Sequence, residues 1–313
     1  MANLKIVFMG TPQFAVPSLD RLVEDGYMVV GVYTQPDRPA GRSGAPATSP
    51  VKRAADRYGL SLYQPRSLRR PEEQQRLRAL EPDLIAVAAY GLILPQAVLD
   101  IPERGGLNVH PSLLPRHRGA SPIAGALLAG DTQTGVSIML MDSGMDTGPV
   151  LAQRRVEIAS GEMAGDLTER LALLGSELLT ETIPLWVSGA ITPAPQDHGL
   201  ATYTRLLTKE DSLIDWSLPG EQIARRIRAY APWPGTATTW QGKRLEVLDG
   251  EPVPVGTSGE PGTVFEYGNG AGVITGGLAL ALKRVQLEGR RALPIEEFLR
   301  GARGLIGSRL GGP

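Results

Sequence analysis

Apolar and polar positions follow two rhythms along the chain, changing near residue 208. Before it, residues 4–9, 27–34 and 83–89 are short runs apolar on both faces, as expected of strands buried within a parallel sheet. Helical patterns lie between them. Residues 17–24 close at Asp25-Gly26, Ser49-Pro50 opens a helix that ends at Tyr58-Gly59, and 71–80 form a charged surface helix. Further strands are expected at 106–109 and 135–141, with a helix from Ser121 to Leu128 capped by Ser121 and started by Pro122. Leu171, Leu173, Leu174, Leu178 and Leu179 give residues 164–189 an apolar stripe. This alternation predicts an α/β fold with a Rossmann-like, doubly wound, mostly parallel sheet.

Residues 190–207 lose the helical period and carry prolines, so they read as a linker. Beyond it a helix is expected at 220–230. Short strands broken by Gly and Pro follow at 236–240, 244–248, 262–267, 272–275 and 279–285, a spacing that predicts a small β-barrel. The expected organisation is a domain over 1–189, the linker, and a second domain over 208–313.

Composition excludes several classes of function. The 313 residues are 42% hydrophobic and 21% charged, ordinary for a globular protein. There is no cysteine, hence no disulfide and no thiol nucleophile, and the three histidines lack metal-ligand spacing, so no metal is expected. No leader pattern and no membrane-length apolar run stands out, so a cytoplasmic protein without a membrane partner is expected. A net charge of −1 gives no global argument for nucleic acid. Residues 205–313 carry 14 Lys/Arg against 12 Asp/Glu, so any basic surface is local.

Chemistry concentrates where strands end. Residues two apart in a strand share a face, so Asn108 and His110 point together while Leu107 and Val109 point away. Asp146 lies in the Gly/Asp/Ser/Thr-rich loop after the next strand. An amide donor, an imidazole base and an orienting carboxylate suit attack on a carbonyl. Sheets of this kind bind ligands outside the carboxyl ends of their strands, and His110 and Asp146 are both expected there. Taken singly, a histidine after a strand is usually structural and an aspartate in a glycine-rich loop usually serves the turn. The first turn, Gly10-Thr11-Pro12-Gln13-Phe14, is not G-x-G-x-x-G, which disfavours a nicotinamide dehydrogenase.

The whole string decides between these readings. His110-Pro111-Ser112-Leu113-Leu114-Pro115, then Arg118-Gly119, Pro122-Ile123 and Asp146-Thr147-Gly148, resembles the folate-dependent formyltransferases. Phe8 to Ala15 and Gln35 to Arg42 narrow the resemblance to members that act on methionyl-tRNA. It covers nearly the whole chain. The resemblance implies an OB-like second domain that binds tRNA, 10-formyltetrahydrofolate as formyl donor, and methionyl initiator tRNA as acceptor. It puts Asn108, His110 and Asp146 at the family's catalytic positions and selects Asp146 over Asp142. Asp146 would orient the imidazole and favour its protonated form. Ser112, Leu113, Leu114 and Pro115 match the folate-contacting segment, whose leucines would wall a pocket while its backbone bonds the ligand. Tyr90 is a further candidate for the pterin rim. The proline-rich loop 36–50 would contact the acceptor stem through Arg42, with Arg38 and Lys52 beside it. Its stretch after Arg42 lacks the lysines common in the family. A monomer is expected.

Other readings stand beside this one. The amine acceptor could be an amino-sugar nucleotide or glycinamide ribonucleotide, or water could replace it, making a formyltetrahydrofolate hydrolase. From a different class, a non-catalytic Rossmann tRNA-binding protein would not need the Asn/His/Asp set.

Overall fold

The computed structural model describes residues 4–39, 46–254 and 259–311, and the chain divides into two compact units. The first holds β1 (Lys5–Gly10), α1 (Val16–Glu24), β2 (Met28–Tyr33), the short pair β3 (Arg38–Pro39) and β4 (Pro46–Ala47), and α2 (Pro50–Arg57). It continues with β5 (Leu62–Tyr63), α3 (Pro71–Arg78), β6 (Leu84–Ala88), α4 (Gln96–Leu99), β7 (Gly106–His110) and β8 (Arg118–Gly119). After α5 (Pro122–Ala129), which clusters with the second unit from residue 123, come β9 (Gln133–Leu140), β10 (Val150–Glu157), α6 (Ala164–Val187), whose residues up to Leu167 also cluster with the second unit, and β11 (Tyr203–Thr204).

The main sheet has the order β10-β9-β7-β6-β1-β2-β5. The five strands from β7 to β5 are parallel, and the order turns about β1, so the crevice opens between the carboxyl ends of β1 and β6. Ile6, Val7, Phe8 and Met9 of β1 have no exposed surface, which is why this strand is apolar on both faces. Helix α2 begins as its sequence requires: Ser49 caps it, accepting from the Lys52 amide at 3.0 Å, and Pro50 opens the first turn.

Two expectations change. Strand β9 runs antiparallel to β7, and an antiparallel edge strand, β10, was not foreseen. The carboxyl end of β9 therefore lies beside Leu107, at the opposite end of β7 from His110, so Asp146 does not sit at the carboxyl end of a parallel strand. The stretch 190–207 is also no free connector up to Thr204. Ala194 bridges to Val150, Gln196 is buried, and β11 pairs in parallel with β8.

The second unit contains α7 (Gly220–Tyr230), β12 (Ala237–Trp240), β13 (Lys243–Val253), β14 (Val264–Tyr267), β15 (Gly270–Val273), β16 (Ala279–Leu287), β17 (Leu293–Pro294) and α8 (Ile295–Gly301). Its antiparallel sheet has the order β12-β13-β16-β15-β14, with β17 on β16. The terminal segment ties its outer strands together. Val264 N donates to Ser308 O and Leu310 N to Gly262 O, while Gly311 N donates to Thr239 O at 2.9 Å. The segment thus covers the β14 edge and reaches the β12 edge through one hydrogen bond. Trp216, Ile223, Ile227, Leu245, Val285 and Phe298 are among its core. Among the described residues no helix is long and apolar enough to cross a membrane.

Candidate active site

The site is assembled on the end of β7. Asn108 and His110 share a face; Asn108 is half-buried and its carboxamide has no hydrogen-bond partner among the described residues. His110 is 4% exposed. Its Nε2 lies 3.1 Å from the His117 carbonyl oxygen, and its Nδ1 lies 3.7 Å from Asp146 Oδ1. A carbonyl can only accept, so Nε2 carries the hydrogen and Nδ1 is the nitrogen that gains or loses a proton.

The loop after β9 folds back to bring Asp146 to this position. Asp146 Oδ2 accepts from Gly119 N at 2.8 Å, which fixes the carboxylate beside the imidazole. Asp142 instead shapes the loop, accepting from Gly144 N at 3.0 Å and Thr147 Oγ1 at 2.7 Å. Asp146 (φ 54°), His117 (φ 56°) and Ala89 (φ 45°) adopt the left-handed backbone region near the site. Such conformations cost L-residues free energy and persist only where the surroundings impose them.

Burial pushes the His110 imidazole below its ordinary value, against the Asp146 carboxylate and the His117 carbonyl, which raise it. The outcome differs from the expected one: the Asp146 carboxylate lies beside Nδ1 without a hydrogen bond to it, and burial outweighs its charge, so the protonated ring is disfavoured. The stability that goes with the neutral ring is complete above the ordinary imidazole pKa of about 6.5 and is lost as pH falls from there toward the depressed folded value. Histidine NMR titration is expected to put the His110 midpoint below about 6.5; a midpoint at or above it contradicts this account.

The segment Ser112 to Pro115 is tied down from within. Ser112 N donates to His110 O at 2.9 Å and Ser112 Oγ to Arg116 O at 2.6 Å. Leu114 N donates to Ser137 Oγ at 3.1 Å, Ser137 Oγ to Ser112 O at 2.6 Å, and Gln153 Nε2 to Leu114 O at 2.8 Å. The backbone groups of Ser112 and Leu114 are thus bonded to the protein, and the loop offers a preformed shape, with Leu113 half-buried and Leu114 buried. Ser137 and Gln153, which hold this segment, were missed by sequence reasoning. At Ser137 the signal was a polar residue inside an apolar strand, whereas Gln153 sits among the polar residues of β10 and gave none.

Tyr90 is not at a rim. Its ring is 2% exposed, packed with Met9, Tyr33 and Val87, and its hydroxyl is buried without a partner. Its carbonyl does belong to the crevice, accepting from Thr11 Oγ1 at 2.9 Å and Gln35 Nε2 at 3.0 Å. Lys52 is not a free cation: Nζ lies 2.6 Å from Asp37 Oδ2 and 3.3 Å from Gln64 Oε1. The contact holds the Asp37 carboxyl below the usual range. Arg42 and the Arg38 side chain lie outside the described residues. No group of metal-ligating side chains occurs among the described residues.

Comparison with known proteins gives the family. Residues 4–183 match the family described as formyl transferase, and 206–303 its C-terminal domain. A methionyl-tRNA formyltransferase of Roseiflexus sp. is 50% identical over 98% of this chain and 95% of its own length. One from Dehalococcoides mccartyi is 46% identical over 99% of this chain and all of its own. Among solved structures, the N-formyltransferase of Helicobacter canadensis, in complex with folinic acid and dTDP-3-aminofucose, shares the fold. Its TM-score is 0.67 at 16% identity, over 89% of this chain and 98% of that one. HypX from Aquifex aeolicus in complex with tetrahydrofolic acid does so at 0.63 and 18%, over 97% of this chain and 48% of its own. Full-length relatives of about half identity, with both domains matched in order, leave one assignment: the chain belongs to the methionyl-tRNA formyltransferase family.

Proposed function

We propose that this chain transfers the formyl group of 10-formyltetrahydrofolate to the α-amino group of methionyl initiator tRNA. The observation that carries the chemistry is the pairing of a neutral, buried His110 with an uncommitted Asn108 amide on one face of β7. The neutral amine attacks the formyl carbon, and the carbonyl oxygen becomes an oxyanion. The side-chain N–H of Asn108 donates to that oxygen, a contribution of about 10²–10³ in rate. His110 Nδ1 takes the proton that the amine loses and delivers it to the folate nitrogen as the old C–N bond breaks. Asp146 stabilises the imidazolium in between. The new C–N bond, the broken one and the single relayed proton balance, and no covalent enzyme intermediate is needed.

Ser112, Leu113, Leu114 and Pro115 form the folate-side wall by shape. Residues 1–189 supply the chemistry and 208–313 an OB-like tRNA-binding surface. The state expected for this reaction is a monomer. Charged tRNA as acceptor makes the reaction cytoplasmic. With Lys52 occupied by Asp37, the phosphate contacts of loop 36–50 fall on Arg38 and Arg42. Arg42→Ala is expected to weaken tRNA binding, more at low salt than at high, because the phosphate term is already screened at high salt. A filter-binding titration with unchanged affinity would discard the loop assignment.

The direct test is transfer of labelled formyl from 10-formyltetrahydrofolate to methionyl initiator tRNA, with uncharged tRNA and free methionine as controls. Label on charged tRNA alone supports the proposal. Formate release without transfer overturns it in favour of a hydrolase.

A further inference from the structure

Asp146 holds a left-handed backbone, and the hydrogen bonds within its loop run to the Asp142 side chain and, at the base, from Leu140 N to Pro149 O, none of them to the Asp146 or Gly148 carbonyl. Those two carbonyls are held by Gln196, from the proline-rich stretch after α6. Gln196 Nε2 donates to the Asp146 carbonyl at 2.9 Å and to the Gly148 carbonyl at 2.6 Å. Its Oε1 accepts from Arg118 Nε at 3.1 Å and Nη2 at 2.7 Å. The side chain is 7% exposed, so water does not compete.

Both ends of this amide have partners of one kind. Two carbonyls can only accept and two guanidinium N–H groups can only donate, so the amide cannot be reversed. A glutamate would pair with Arg118 but set lone pairs against both loop carbonyls. Asparagine is a methylene shorter. Only glutamine meets all four partners.

The anchor is itself fixed. Arg118 has no exposed surface. Its remaining N–H groups point at His198 Nδ1, 3.1 Å away, and at the Tyr203 hydroxyl, 3.3 Å away. Among the described residues it has no carboxylate partner. A buried guanidinium in a neutral shell is costly to move, because every alternative leaves it short of acceptors. Next to it in sequence, Gly119 N donates to Asp146 Oδ2, so one short segment fixes the carboxylate while Gln196 fixes its backbone.

We propose that Gln196, anchored on the buried Arg118, is a positioning residue that holds Asp146 in its left-handed conformation beside the His110 imidazole. Its kinetic consequence rests on the formyl-transfer reading; its effect on the imidazole does not.

The test uses Gln196→Glu and Gln196→Ala in the full chain, with Asp146→Asn as reference. The chain has only three histidines, so the His110 resonance is followed directly by NMR through a pH titration. In both Gln196 variants its midpoint is expected to move toward that of Asp146→Asn. In the transfer assay kcat falls by about 10–10² for a displacement near one ångström, with KM for both substrates little changed. Adding Gln196→Glu to Asp146→Asn then costs almost nothing more, since both act through one carboxylate. A merely structural role would lower the melting temperature without moving the titration or the kcat-to-KM split. A His110 midpoint unchanged in the folded variants, or effects that multiply in the double variant, overturns the proposal. The alanine variant adds no charge and keeps the test readable if the glutamate variant does not fold. Because the titration needs no turnover, a wild-type chain that fails to transfer formyl leaves this test intact.

Discussion

His110→Ala is expected to lower formyl transfer by about 10²–10⁴, the range for removal of a positioned acid–base group, in a protein that still folds. Both halves follow from the ring's surroundings. Its Nε2–H is used by the His117 carbonyl and its Nδ1 faces Asp146, so one nitrogen is fixed as donor and the other is free for the proton. Alanine removes the only group on this face of β7 that changes charge near neutral pH. The structural cost is that of leaving the His117 carbonyl without its donor, about 1–3 kcal/mol. That is modest against a typical 5–15 kcal/mol of domain stability. Steady-state rates on charged tRNA, with a thermal melt of the same preparation, test this. A folded variant that turns over like the wild type would remove His110 from the mechanism. A variant that fails to melt cooperatively would make the ring structural.

Where patterns are local, the sequence was readable. β1 and β6 are strands buried on both faces, β2 is so from Gly31 to Tyr33, and a run such as Ile6 to Met9 can hardly be anything else in a chain of this composition. α7 is marked by apolar Ile223, Ala224 and Ile227 on one face. β10 escaped notice because it is an edge strand with alternating exposure. Its polar residues look like loop, and the partners of Arg154, Glu177 and Glu181, lie on α6. The direction of β9 has no local signature at all; it is set by pairing with β7. α8 is seven residues long and follows a two-residue strand, too short to show a period.

The site divides the same way. Asn108, His110 and Asp146 stand in one readable string, but their geometry depends on partners far along the chain. Gln196 sits 78 positions from Arg118 in a stretch whose prolines read as a connector. Lys52 looked like a phosphate ligand because nothing in sequence shows that Asp37, 15 residues earlier, would hold it at 2.6 Å. Tyr90 follows β6 next to the crevice, but its ring turns into the core. Composition marks which residues are able to do chemistry. Tertiary contacts decide which are already occupied.

Gly148→Ala is expected to cost both stability and turnover, although it adds a single methyl group several residues from the imidazole. A Cβ built on Gly148 falls well inside contact distance of the Leu140 carbonyl oxygen and 3.2 Å from the Met139 methyl. The first neighbour is backbone of β9, which no rotamer change can move aside, so the adjustment falls on the returning loop. That loop is short of slack. Leu140 N donates to Pro149 O at 2.9 Å on one side, and Gly148 O accepts from Gln196 at 2.6 Å on the other. Any shift of residue 148 is passed to Asp146 two positions away, whose carboxylate must stay on Gly119 N to face His110. Overpacking of this kind costs about 1–3 kcal/mol, or a fall in melting temperature of about 2–4 °C per kcal/mol in a chain of this size. A displacement near one ångström at a catalytic group costs about 10² in rate. The glycine of the Asp-Thr-Gly string is thus needed for its missing side chain, since its φ is not among the positive ones. Thermal melting and kcat measured on Gly148→Ala decide the matter: a wild-type melting temperature with wild-type kcat would mean the loop has room that its contacts deny.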